Sequence, residues 1–154
     1  MSGVNYHKSG SVSWQRTSNI ALIKYWGKKD FQIPANPSLS ITLSASYTET
    51  KVDYSPGIGR IELYFEGQKN SAFEKKIQDY FNKISSDLNF LTKLDFVIHS
   101  HNTFPHSAGI ASSASAMSAL ALCLYSIEQE ILGDQKMADV DFFRRASHFA
   151  RIGS

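Results

Sequence analysis

Eleven residues do most to limit what this chain can fold into: Pro105-His106-Ser107-Ala108-Gly109-Ile110-Ala111-Ser112-Ser113-Ala114-Ser115. Before them, residues 93–100 alternate apolar Leu94, Phe96 and Ile98 with polar neighbours, the period of a β-strand. After them comes an alanine-rich helical stretch ending near Gly133. A strand, a small-residue loop and a helix therefore follow one another directly. A helix start of this kind leaves backbone N–H groups unpaired at its positive end, where an anion can accept from them. Gly109 permits close approach, and the hydroxyls of Ser112, Ser113 and Ser115 can donate to phosphate oxygens or meet a bound Mg²⁺. No Gly-Lys-Ser/Thr closes the loop, so it is not a Walker sequence, and the positive charge must come from elsewhere. The same residues would equally serve tight helix packing and capping.

The remaining pattern predicts one domain of mixed class. Residues 12–25, 39–43, 50–54 and 60–65 read as strands, with Ser55-Pro56-Gly57-Ile58-Gly59 as a hairpin-type turn, so the N-terminal half reads as a meander. Phe73, Ile77, Tyr80, Phe81 and Ile84 fall at helical spacing within 71–88, capped by Asn70 or Ser71. Residues 139–152 form a last amphipathic helix through Val140, Phe143, Ala146, Phe149 and Ala150. The class is α/β (α+β), with a mixed, mostly antiparallel sheet covered by helices.

Charge and cysteine content narrow the function. Sixteen basic and 14 acidic residues are spread along the chain, which gives no stripe for nucleic acid. The lone Cys123, in an apolar run, excludes an internal disulfide and fits a cytoplasmic protein, and no stretch has the length of a membrane span. His99, His101 and His106 lie close in sequence, but no set of Asp, Glu or Cys beside them completes a ligand group, so structural histidines are expected rather than a zinc site.

A second run, Ser18-Asn19-Ile20-Ala21-Leu22-Ile23-Lys24-Tyr25-Trp26-Gly27-Lys28-Lys29-Asp30, is followed by Ile33-Pro34-Ala35-Asn36-Pro37-Ser38. Physically, a strand would deliver Lys24, Tyr25 and Lys28 to one sheet end, where two ammonium groups and a phenol can meet an anion, with Gly27 making the turn. This run closely resembles the opening of mevalonate diphosphate decarboxylases. The pattern Pro-x-x-x-Gly-Ile-x-Ser-Ser-x-Ser resembles the ATP loop of their superfamily, that of galactokinase, homoserine kinase, mevalonate kinase and phosphomevalonate kinase.

The resemblance implies a ribosomal-protein-S5-like N-terminal domain over 1–154, with a C-terminal domain outside it that holds the essential aspartate. It implies ATP and Mg²⁺ as cofactors, mevalonate 5-diphosphate as substrate, and a homodimer. Lys24 would stand beside the reacting hydroxyl and carboxylate, Ser113 would orient the ATP γ-phosphate, and Tyr25, Trp26, Gly27 and Lys28 would hold substrate. Asn102, Pro105, Gly109, Ala111, Ser112 and Ser115 would bind ATP. The final Arg151-Ile152-Gly153-Ser154 resembles the start of a Gly-Ser-Gly-Ser-Ala-Cys-Arg segment, so Ser154 joins the substrate set, as does Lys76 at a phosphate-binding position. Two departures, His106-Ser107-Ala108 for Thr-Ala-Ala and Asn36-Pro37-Ser38 for Asn-Ser-Ser, keep open a kinase, or a decarboxylase of another mevalonate phosphate. An inert, self-associating fragment is a third expectation, since a missing partner domain would expose apolar area.

Overall fold

The computed structural model describes residues 4–24, 26–30, 33–105, 110–133 and 139–153. Five strands form one sheet: β1 Gly10–Ile23, β2 Leu39–Pro56, β3 Ile61–Phe65, β4 Gln68–Lys69 and β5 Leu94–Asn102. Three helices follow the chain as α1 Ser71–Ile84, α2 Ser112–Leu132 and α3 Asp139–Gly153, with a 3₁₀ turn at Asn89–Thr92. The expected mixed, mostly antiparallel sheet with helices is what the chain forms.

The strand order is β1-β2-β5-β3-β4, and β3 runs parallel to β5. This corrects the meander: β2 and β3 are not a hairpin, because β5 lies between them. A parallel pair needs a crossover connection, and the stretch containing α1 supplies it. The turn between β2 and β3 is instead pinned from β5. Asp95 Oδ1 accepts from the backbone N–H of Ile58 at 2.8 Å and of Arg60 at 2.9 Å. Gly57 is required beneath it, since a Cβ there would overlap the Asp95 carboxyl.

The N–H groups of Arg60 and then Ile58 hold the Asp95 carboxyl below the usual carboxylate range. A depressed folded-state value means that Asp95 contributes stability above its unfolded pKa of about 4, and that this is lost as pH falls through the folded value. Asp95→Asn should therefore melt a few degrees below wild type at pH 7, with the gap closing under acid. Thermal melts followed by circular dichroism at both pH values check this; a gap that is constant with pH would contradict it.

The core lies between the inner sheet face and the helices. Val52, Tyr54, Leu63, Phe96 and Ile98 meet Tyr80, Phe81 and Ile84 from α1 and Leu120, Leu124, Tyr125 and Ile127 from α2. Helix α2 is buried on most of its circumference because it packs on β1 and β2 and also beneath α3. Its polar ties include Trp14 Nε1 donating to Ser126 Oγ at 2.8 Å and Tyr54 Oη to Glu130 Oε2 at 2.6 Å. Cys123 sits within this core, where burial pushes its thiol up to about 12, so it stays protonated near neutrality. No helix among the described residues is long and apolar enough to cross a membrane.

Candidate active site

Strand polarity brings three things to one end of the sheet. β1 ends there, β5 runs parallel to β1 and ends there, and α2 starts there. The last β2–β5 rung is Thr48 opposite Asn102; beyond it, β1 and β2 continue as a two-stranded ribbon, with Ile20 opposite Ile41 and Ile23 opposite Leu39. The ribbon is interrupted by a register shift between Thr17 and Ser18, where β2 carries extra residues between Leu43 and Tyr47. Thr103 repairs the backbone at that point: its N–H donates to Tyr47 O at 3.0 Å, and its hydroxyl lies 3.2 Å from Ala45 O.

The ribbon leads into the lysine loop. Lys24, Trp26, Gly27 and Lys28 are all exposed, Trp26 at 83%. Gly27 has φ +86°, a turn conformation that a Cβ would disfavour. Asn36 clamps the loop from across it. Its Oδ1 accepts from the Trp26 N–H at 2.7 Å, and its Nδ2 donates to Pro37 O at 2.9 Å and to Lys24 O at 3.5 Å. Ala35 N–H to Gly27 O at 3.2 Å and Lys29 N–H to Ile33 O at 2.7 Å complete the excursion. Sequence reasoning placed the lysines but not Asn36 as their support. Its signal was the asparagine opening Asn36-Pro37-Ser38, a residue type that can accept and donate at once.

The second group surrounds the start of α2. Ala111, a non-glycine residue, has φ 56° and ψ 40°, and its carbonyl accepts from the Ser115 N–H at 3.2 Å. The left-handed conformation costs an alanine roughly 1–2 kcal/mol, and such strain gathers at functional sites. Alanine cannot cap, and Ala111 makes no side-chain cap bond, so the N–H groups at the positive end of this 21-residue helix get no partner from their N-cap residue. Ser112 and Ser113 stand in that first turn, Ser113 exposed. Ser115 is turned inward: it is 3% exposed, its hydroxyl 2.7 Å from Thr48 Oγ1 and 3.0 Å from Ser112 O. It ties the helix start to the sheet rather than presenting its hydroxyl outward.

Ser112 and Ser113 open on a cavity of about 240 Å³ between α1, α2 and the inner sheet face. Its walls are apolar where Leu63, Phe65, Phe73 and Met117 contribute, and polar where Asn102, Thr50 and Ser100 do. Lys76 lines the same cavity and stands 5.6 Å from the Phe73 ring centre. The structure thus gathers Lys76 with Asn102, Ser112 and Ser113. Pro105 is exposed in the loop that follows β5. Tyr25, Gly109 and Ser154 lie outside the described residues, as does His106. His99 stacks on Tyr64 at 5.0 Å, and among the described residues no group of three or more His, Cys, Asp or Glu could hold a metal.

The family model described as the diphosphomevalonate decarboxylase-like N-terminal domain matches residues 16–154. The chain belongs to that family. It is 33% identical over 125 residues to the diphosphomevalonate decarboxylase of Saccharomyces cerevisiae, an alignment spanning 72% of this chain and 32% of the yeast protein. The crystal structure of mevalonate diphosphate decarboxylase from Staphylococcus aureus superposes with a TM-score of 0.74 at 38% identity, covering 96% of this chain and 42% of that one. A solved complex of a protein named MDDEF with MVAPP, AMPPCP and magnesium matches at TM-score 0.68 and 33% identity, covering 93% and 43%. The chain therefore spans about a third to nearly half of the length of the relatives it matches.

Proposed function

We propose that this chain supplies the nucleotide site and part of the substrate grip of an ATP-dependent decarboxylase, which converts mevalonate 5-diphosphate to isopentenyl diphosphate, ADP, phosphate and CO₂. The observation that carries the reading is the cavity at the start of α2, lined by Ser112, Ser113, Asn102 and Lys76; β1 runs toward the same side of the sheet and leads into the clamped lysine loop. The ATP phosphates would lie against the N–H groups and the hydroxyls of Ser112 and Ser113, with Ser113 orienting the γ-phosphate and the strained Ala111 setting the helix start toward it. The cavity would take the nucleoside, its aromatic wall facing the base and Asn102 and Lys76 its polar edges.

Magnesium fits only in a limited way. The described cavity lining offers serine hydroxyls and no carboxylate, so Mg²⁺ would be carried on the ATP phosphates with Ser112 or Ser113 at its edge. There it would neutralise charge on the β- and γ-phosphates. Lys24 would stand beside the reacting tertiary hydroxyl and carboxylate, and Tyr25 and Lys28 beside the substrate diphosphate. Phosphorylating the hydroxyl turns a poor leaving group into phosphate; loss of CO₂ then provides the electron pair that forms the double bond as phosphate departs. The exposed apolar row of the ribbon, Ile20, Leu22, Leu39 and Ile41, would pack against a further domain that completes the site.

The test is ATP-dependent CO₂ release from mevalonate 5-diphosphate, by this chain and by the chain joined to the remaining length of a relative. The longer protein is expected to release CO₂, the shorter one to bind MgATP with little turnover. A phosphorylated product without CO₂ would make it a kinase, and no ATP binding by either would end the proposal.

A further inference from the structure

Beneath the cavity, the sheet carries side chains that packing alone does not call for. On β2, Thr48 and Thr50 are 0% and 2% exposed, in a strand face otherwise occupied by Val52 and Tyr54. Each meets a polar partner one rung across on β5: Thr48 opposite Asn102, Thr50 opposite Ser100. Thr50 Oγ1 is 3.2 Å from Ser100 Oγ, and Thr48 Oγ1 donates to Asn102 Oδ1 at 2.7 Å. Buried hydroxyls cost free energy unless bonded, and valine would fill the same volume without that demand.

Thr48 has one proton and gives it to Asn102 Oδ1. Its 2.7 Å contact with Ser115 must then be served by the Ser115 proton, which is shared with Ser112 O at 3.0 Å. The Asn102 backbone is fixed independently, its N–H donating to Glu66 Oε1 at 2.9 Å. With its oxygen held by Thr48, the Asn102 amide has its N–H₂ group as the donor it can offer the cavity that Asn102 lines.

We propose that Thr48 is a positioning residue for nucleoside recognition: it holds Asn102 by the carbonyl oxygen, so that the amide N–H₂ donates to an acceptor atom of the bound nucleoside, a ring nitrogen or a ribose oxygen. Through Ser115, the same hydroxyl joins this grip to the first turn of α2, where the phosphates bind. The inference rests on the nucleotide reading of the cavity and adds to it a residue that touches no ligand.

The experiment compares two probes by calorimetry on this chain: MgATP, which has a nucleoside, and magnesium tripolyphosphate, which does not. Thr48→Val should weaken ATP by about three- to tenfold, the worth of one hydrogen bond, and leave tripolyphosphate within about twofold. Thr48→Ser keeps the hydroxyl and should bind both probes like wild type. In an Asn102→Ala background, Thr48→Val should add nothing further, because Thr48 acts through Asn102. Equal losses for both probes, no loss for ATP in a folded Thr48→Val chain, or a loss in Thr48→Ser as large as in Thr48→Val, would overturn the proposal. If wild type binds tripolyphosphate but ATP no more tightly, the nucleoside role falls; if it binds neither, the nucleotide reading itself falls.

Discussion

Lys24→Met, introduced into the chain extended to the length of its relatives, is expected to lower ATP-dependent CO₂ release by about 10²–10³-fold, the cost of removing one preorganised charged donor from a reacting centre. ATP affinity should stay within about twofold, because the cavity at α2 is built from other residues. Lys24→Arg should recover only part of the rate, since a planar fork does not replace a compact ammonium. Asn36→Ala tests the same point through the backbone. It keeps the ammonium but releases the Trp26 N–H and the Lys24 carbonyl from their clamp. Its loss should fall between wild type and Lys24→Met, mostly as a raised KM for substrate. Steady-state kinetics on the three variants decide. A Lys24→Met enzyme that keeps a third of its turnover would remove Lys24 from the chemistry.

The turn at Gly27 and the start of α2 at the serines were legible because both combine unusual residue types with a turn or a helix start. Their support was not. Asn36 reaches Trp26 across ten positions, Thr48 reaches Asn102 across 54, and the Thr48–Ser115 contact spans 67. Nothing local in Ser46-Tyr47-Thr48 announces a partner so distant. The same limit explains β2, which reads as two short strands. Ser44, Ala45 and Ser46 break its alternation, and the backbone there is repaired by Thr103 from another strand's end. The misplaced hairpin has a related cause. A Pro-Gly turn signals a reversal, not which strand lies alongside, and the apolar alternation of β5 suits the centre of the sheet better than that of β3. Where the determinant is local, as with Asn70 Oδ1 accepting from the Phe73 N–H at 3.0 Å to start α1, the structure takes one of the two cap residues, Asn70 and Ser71, that the sequence offers.

Phe96→Ala should cost about 3–5 kcal/mol, a large part of the 5–15 kcal/mol that holds a typical domain folded. Phe96 is 1% exposed and sits on β5 opposite Tyr54 on one side and Ile61 on the other, so it belongs to the rungs that join the antiparallel and parallel parts of the sheet. Its ring meets Phe81 of α1 edge-on, with centroids 5.4 Å apart and planes at 89°, and Phe90 of the 3₁₀ turn at 6.4 Å. Truncation therefore removes the group that helix, turn and sheet share, and neighbours anchored in three elements cannot all collapse into the space. At about 2–4 °C per kcal/mol for a chain of this size, the melting temperature should fall by roughly 6–20 °C. Val97→Ala, on the outer face of the same strand, should lower it far less, which separates loss of core from loss of strand propensity. Asn102 lies six residues further along β5, about 20 Å at strand rise. ATP binding below the lowered melting temperature should therefore survive in Phe96→Ala. A variant that melts within about 2 °C of wild type would show that the helices hold to the sheet elsewhere; one that stays folded but loses ATP would show that the far end of β5 shapes the cavity directly.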